Sequence, residues 1–319
     1  IINQILIIRD CSIMLRLARH AIVHSLWENY RNASQQMQIL ERGLEQKGVS
    51  NPTLDHFALI DLPSNNSGIP VLRELFTTLG YIERGNGYLA DKQNDFMWLA
   101  EVDSMSHPAR MALPQIVVAD FRPHELPENI RAIIQHYAQF APTPPLAIIK
   151  ELVQRTNEND ESAMLMLVDT VLQYCKQRPW PSPTVAEFET VFAFNRLLAW
   201  VLVFGRSPNH FTLSLHHLNI FTDMADFHQY VEDELKMPLN AEGGKIKGTP
   251  DSGLMQGSTI GTFESVMLQD GAIELPRGFV EFVWRFPLDQ NTKPTKWNDY
   301  FTGFIAANAD HVIESLTTQ

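Results

Sequence analysis

Three side chains in this sequence have types and placements suited to holding one metal ion: His56, His210 and Glu281. Each lies in a stretch that reads as a strand, and a strand turns successive side chains to opposite faces. In residues 54–62 (LDHFALIDL), His56 shares a face with Leu54, Ala58 and Ile60, while Asp55 and Asp61 take the other. In residues 209–218 (NHFTLSLHHL), His210 shares a face with Thr212, Ser214 and His216. In residues 279–286 (FVEFVWRF), Glu281 falls with Phe279, Val283 and Arg285, and the opposite face is wholly apolar. A lone strand histidine is more often hydrogen-bonded than ligating, and a strand glutamate can simply face water. Repetition shifts that balance, because the two histidines occupy matching places in two stretches of similar element order. Two imidazoles and one carboxylate form a facial triad with open positions, the set that suits non-haem Fe(II) oxygen chemistry.

Other polar residues carry less. His20 and His24 are four apart on a helix but lack a third ligand nearby, so an exposed polar face explains them. His216 and His217 point to opposite faces. Cys175 reads as a buried structural thiol. No dinucleotide fingerprint, phosphate-binding loop, nucleophile elbow or Cys-x-x-Cys motif occurs, which removes the commonest nucleotide, hydrolase and redox readings.

The elements that must position the three residues follow from periodicity. Residues 15–30 and 37–47 read as amphipathic helices, the second ending at Gly48. The order then becomes strand (54–62), helix (68–80, GIPVLRELFTTLG) and shorter strands at 81–84, 88–90, 96–102 and 115–121, with Gly85-Asn86-Gly87 read as a hairpin turn. Residues 124–207 read as about four helices (127–140, 146–156, 162–176, 184–204) between proline-rich breaks. The first pattern then returns: strand (209–218), helix (221–235), a turn at Gly243-Gly244, and strands at 254–269 and 279–286. The expected fold is α+β: two βαβββ-type modules (51–123 and 208–290) forming a metal-binding cup, with a helical insertion between them. N-terminal helices (1–50) precede this cup, and a helix within 291–319 closes the chain. Residues 1–13, ahead of the first methionine, read as an upstream extension or a mis-called start; Arg9, Arg16 and Arg19 follow the apolar run Ile1–Ile8, the wrong order for a secretory signal.

Composition narrows the setting. The 319 residues are 45% hydrophobic and carry 25 basic against 37 acidic side chains, a net charge of −12. That share of apolar residues is enough for a sizeable core, and the acidic balance argues against a nucleic-acid partner. No apolar run approaches the roughly 20 residues of a membrane span. Two cysteines cannot build a disulfide framework, which points to a reducing cytoplasm.

The runs LWENY, LDHFALIDL, NHFTLSLHHL, GLMQGST and LPRGFVEFVWRFP resemble the 2-oxoadipate dioxygenase/decarboxylase family over about residues 26–287. The resemblance implies a vicinal-oxygen-chelate-like architecture and a mononuclear Fe(II) site on His56, His210 and Glu281. Zn, Ni or Mn are alternative occupants of such a set. It also implies the reaction: oxidative decarboxylation of a 2-oxo acid by O2, in family members giving 2-hydroxyglutarate in lysine breakdown. Gln256 and Ser258 are expected to donate hydrogen bonds that orient the bound acid. One departure stands out. The family's long members carry an Arg four residues after the first His, to meet the substrate's carboxylate, and here that position is Ile60. Arg285, on the Glu281 face, is the expected replacement cation; Arg84 and Arg206 are further candidates. The competing readings are a metal-dependent lyase or hydrolase on the same cup, and a non-catalytic acid-binding module.

Overall fold

The computed structural model of the protein describes residues 11–176 and 178–316. Of the expected extension, residues 1–10 lie outside the described residues. Residues 11–13 form the first turn of α1 (Cys11–Ala33), which buries Ala18, Ile22, Leu26 and Tyr30 on one stripe. The Ser34 hydroxyl accepts from Met37 N and so starts α2 (Gln35–Gln46), whose Met37, Leu40 and Leu44 join the same core.

The first module follows as β1 (Leu54–Ile60), α3 (Ile69–Thr78), β2 (Tyr81–Leu89), β3 (Asn94–Glu101) and β4 (Gln115–Phe121). Five helices come next: α4 (Glu128–Ala138), α5 (Leu146–Asn157), α6 (Glu161–Cys175), α7 (Val185–Phe194) and α8 (Arg196–Phe204). The second module is β5 (Phe211–Ser214), α9 (Met224–Asp233), β6 (Lys247–Thr249), β7 (Leu254–Ser258), the hairpin β8 (Phe263–Met267) and β9 (Ala272–Pro276), and β10 (Glu281–Arg285). Helix α10 (Ala306–Ile313) and a 3-10 turn at Glu314–Leu316 end the described chain.

Eight strands form one sheet in the order β2-β3-β4-β1-β5-β10-β7-β6. Its two halves match. In each, the first strand pairs parallel with the last, β1 with β4 and β5 with β10, while β1 and β5 run antiparallel where the halves meet. Phe57 lies directly opposite Phe211 at this seam, and their rings stack at 4.6 Å. An offset of 154 residues therefore carries Phe57 onto Phe211, and with it His56 onto His210. One sheet face, with Phe57, Leu59, Phe211 and Phe282, packs under α1, α2, α3 and α9. The other face, with Ala58, Ile60, Phe96 and Ala119, is roofed by α4, α7, α8 and α10. The helical segment is thus divided between the layers, since α5 and α6 belong to the first.

Several expected elements change, each for a local reason. Gly85-Asn86-Gly87 is not a turn; β2 runs through it as one strand paired to β3. The glycines are needed because a Cβ at Gly85 would sit 2.3 Å from the Trp98 ring, and one at Gly87 2.4 Å from Phe96. The expected helix 184–204 is broken at Asn195, whose backbone is extended and whose side chain accepts from Leu198 N to cap α8. Residues 254–269 are two strands, because Gly261 packs against the carbonyls of Ser315 and Gly278 and leaves the main sheet. Only 306–313 of the expected C-terminal helix is α-helical, and the preceding residues are extended. Cys175 is buried in α6, where loss of water pushes its thiol up to about 12.

Candidate metal centre

The two central strands and β10 bring the three residues together. One ligand atom each from His56, His210 and Glu281 lie within 4.8 Å of one another, the one such cluster of three among the described residues. His210 Nε2 is 3.0 Å from Glu281 Oε2, and His56 Nε2 is 3.5 Å from the same oxygen. All three side chains are buried.

The outer nitrogen of each ring is already engaged. His56 Nδ1 lies 2.7 Å from Asp55 Oδ1, and His210 Nδ1 lies 2.6 Å from Asn209 Oδ1. Both partners accept, so Nδ1–H donates outward and the two Nε2 atoms face Glu281, the arrangement that orients metal-binding histidines. Thr212 Oγ1 lies 3.1 Å from both His56 Nε2 and Glu281 Oε2, and Gln256 Nε2 donates to Glu281 Oε1 at 2.8 Å. Phe304 meets the His56 ring edge-on at 4.7 Å, and Phe279 stacks on His210 at 4.8 Å.

Electrostatics favours positive charge between the three. Burial opposes a charged His56, but the Glu281 and Asp55 carboxylates outweigh it and raise the imidazole to about 9. Burial likewise opposes a charged Glu281, and the two imidazoles hold its carboxyl well below the usual range. A site that attracts a proton this way suits a divalent cation, and the nitrogen–nitrogen–oxygen donor set is chemically fit for one.

Asp55 breaks the alternation expected of its strand. Between Leu54 and His56, β1 advances two residues while β5 advances one, from Leu213 to Thr212. That extra residue is a bulge, and it re-aims the Asp55 carboxylate toward His56. The same carboxylate corrects the expectation for Arg285. That residue does share the Glu281 face, but its guanidinium grips Asp55 at 2.7 and 2.8 Å and donates to the carbonyls of Phe301 and Gly303. It lies outside the cavity beside the three ligands. Burial alone would raise Asp55; Arg285 and His56 instead hold it far below the usual carboxylate value. Ser258 is also elsewhere, hydrogen-bonded to Ser315 at 2.9 Å. Gln256 lines the cavity; its Nε2 donates to Glu281, while its Oε1 is buried without a partner among the described residues. Arg206 is bound to Asp61 at 2.6 Å, and His20 and His24 are exposed. Asp55, Asn209 and Phe304 are site residues that strand alternation alone does not reveal, whereas Thr212 lies on the His210 face as alternation places it. A signal for the first two exists in the sequence, the repeated Asx-His-Phe at the head of each module's first strand (DHF, NHF).

A sequence model of the 2-oxoadipate dioxygenase/decarboxylase family matches residues 20–287. The chain belongs to this family. Among curated relatives of the family, the chloroplastic/amyloplastic 2-oxoadipate dioxygenase/decarboxylase of Oryza sativa subsp. japonica is 28% identical over 272 residues, 82% of this chain and 69% of the relative. The crystal structure of hydroxyglutarate synthase from Oryza sativa in complex with 2-oxoadipate superposes with a TM-score of 0.74 at 25% identity, covering 95% of this chain and 93% of that one. A protein described as of the glyoxalase superfamily, from Ralstonia eutropha, shares the fold at 17% identity, with a TM-score of 0.71 over 89% of this chain and 84% of that one. The fold this chain shares with both structures is the paired-module sheet of β1–β4 and β5–β10.

Proposed function

We propose that this chain is a non-haem Fe(II) enzyme that oxidatively decarboxylates a 2-oxo acid, using His56, His210 and Glu281 as its metal ligands. The observation that carries this reading is the buried convergence of two Nε2 atoms and one carboxylate, each ring locked in orientation by the residue before it. Three protein ligands leave positions for a 2-oxo acid and for O2. When bound, the metal supplies an electron source and a template that places the two substrates side by side. The overall change balances: R–CH2–CO–COO⁻ and O2 give R–CHOH–COO⁻ and CO2, with both oxygen atoms retained in the products. Relatives named for 2-oxoadipate support a 2-oxo acid as the substrate class.

The chain's own residues do the rest. Asp55 and Asn209 keep the Nδ1 protons outward, Gln256 holds the second carboxylate oxygen of Glu281, and Thr212 bridges ligands from both modules. The aromatic rings of Phe304 and Phe279 and the apolar roof keep bulk water off the reacting groups.

The test is anaerobic loading with Fe(II), followed by O2 and a set of 2-oxo acids including 2-oxoadipate. Oxygen uptake matched one-to-one by CO2 and a 2-hydroxy acid one carbon shorter is expected. Turnover with Zn(II) and no oxygen requirement would replace this reading with a lyase or hydrolase. Acid binding without turnover under any metal would replace it with a binding module.

A further inference from the structure

Among the described residues, no arginine or lysine lines the cavity beside the three ligands to receive a second carboxylate. The cavity is small, about 60 Å³, and lies at the ligand end of the cup. Its walls beyond the ligands are hydrocarbon: Ile60, Leu89, Phe96, Val117, Leu197 and Ile313 are prominent among them. The two polar side chains in the lining, Asn94 and Gln256, donate to Asp120 O at 2.8 Å and to Glu281 Oε1 at 2.8 Å.

Three of the cations nearby are held in ion pairs away from the cavity. Arg285 is held by Asp55 and two carbonyls, and Arg206 by Asp61 and Tyr174 O. Lys92 is bound by Glu314 at 2.5 Å and Asp310 at 3.2 Å. Lys247 lies opposite Gln256 in the β6–β7 register but outside the cavity lining, donating to Asn240 O at 3.0 Å. An anionic tail among these walls would lose its water and gain no charge partner, a steep penalty. An apolar tail in the same place gains from burial.

Resting on the 2-oxo acid reading above, we infer that the preferred substrate is a monocarboxylic 2-oxo acid with a short aliphatic tail, selected against dicarboxylic acids by Ile60 and the apolar walls around it. The size agrees, since a cavity of about 60 Å³ favours a compact tail. Ile60 sits two pleats from His56 on the same strand face, where it meets the tail while the chelating end stays at the ligands.

Length-matched pairs separate charge from shape: 2-oxopentanoate against 2-oxoglutarate, and 2-oxohexanoate against 2-oxoadipate. Binding is read by intrinsic tryptophan fluorescence and calorimetry on Zn(II)-loaded protein, and turnover by oxygen uptake on the Fe(II)-loaded enzyme. Within each pair the monocarboxylate is expected to bind at least tenfold more tightly, and Ile60→Arg is expected to reverse the order. The wild-type comparison decides the matter even if that variant fails to fold. Equal or tighter binding of the dicarboxylates by the wild type, with oxygen uptake intact, would overturn the inference alone. No binding of any of the four acids, together with no oxygen uptake, would overturn it along with the reading beneath it.

Discussion

The two halves of the sheet share one plan and divide the labour unequally. The offset that carries His56 onto His210 also carries Asp55 onto Asn209, and Ala58 onto Thr212. Ala58 pairs with Val117 on β4, and Thr212 pairs with Glu281 on β10. Val117 is therefore the first module's counterpart of Glu281. Each module contributes a histidine with an oriented ring, but only the second supplies the carboxylate, its Gln256 partner and Thr212. The first supplies Ile60, Val117 and Ala119 as apolar wall. A carboxylate in both halves would take one more position at a bound metal; Val117, standing in its place, leaves that position open.

The largest expected effect comes from removing the asymmetric carboxylate. Glu281→Ala is expected to abolish metal retention, measured by metal analysis after dialysis, and to lower oxygen uptake by at least about 1000-fold. Activity within tenfold of wild type would mean that the module difference does not define the centre. Restoring symmetry is the complementary experiment. Val117→Glu is expected to keep or tighten metal binding while cutting turnover by about 10–100-fold, because a fourth protein ligand takes an open position.

The two ring-orienting residues sharpen the comparison. Asp55→Asn and Asn209→Ala should each weaken metal affinity by about 10–100-fold. Only the first should also cost about 3–5 kcal/mol in chemical denaturation, because it strips the counter-charge from buried Arg285. Similar denaturation curves for the two variants would mean that the Asp55–Arg285 pair does not hold the first module to β10. Next in size are the glycines of the first module. Gly85→Ala is expected to cost about 1–3 kcal/mol, since its Cβ would overlap the Trp98 ring.

The smallest effect is pH-linked and concerns how the modules start their helices. Helix α9 is capped by its own Asp223, whereas α3 receives Asp120 from β4 across the fold, its Oδ2 accepting from Ile69 N at 2.9 Å. Burial first, and Asp95 and Asp61 next, raise Asp120 to about 6 against the Ile69 hydrogen bond that lowers it. With a folded value above the unfolded one, the charged form is penalised in the native state above about pH 6. That penalty lifts as the pH falls from about 6 toward the unfolded carboxyl value near 3.9. The stability difference between wild type and Asp120→Asn should therefore move in favour of the wild type over that window. A pH-independent difference between the two would mean that Asp120 does not titrate there.

Much of the site was legible because strand alternation is a local rule. His56, His210 and Glu281 each fell on a face that could be read from neighbouring residues, and their matching places suggested that those faces meet. The same rule failed at Asp55, because a bulge depends on which strand lies alongside and in what register. It also failed at Gly85-Asn86-Gly87. These residues have the composition of a turn, yet serve as clearance for Trp98 and Phe96 arriving from β3. Asn195 ended a helix inside an otherwise continuous apolar periodicity, where only its side-chain bond to Leu198 N marks the break.

By itself the sequence determined the residue types able to bind a metal, the strand or helix character of the segments that carry them, and the repeated element order. These are properties of near neighbours, set by periodicity and turn chemistry. Tertiary structure alone decided what each charged group does. Arg285 and Asp55 are 230 positions apart, and nothing local says that they bind each other rather than a substrate. A buried cation takes the best-placed carboxylate, and which carboxylate that is depends on the register of β1, β5 and β10. Once Arg285 is paired in that way, the walls around Ile60 are left without charge, and the cavity's preference for its ligand follows from packing.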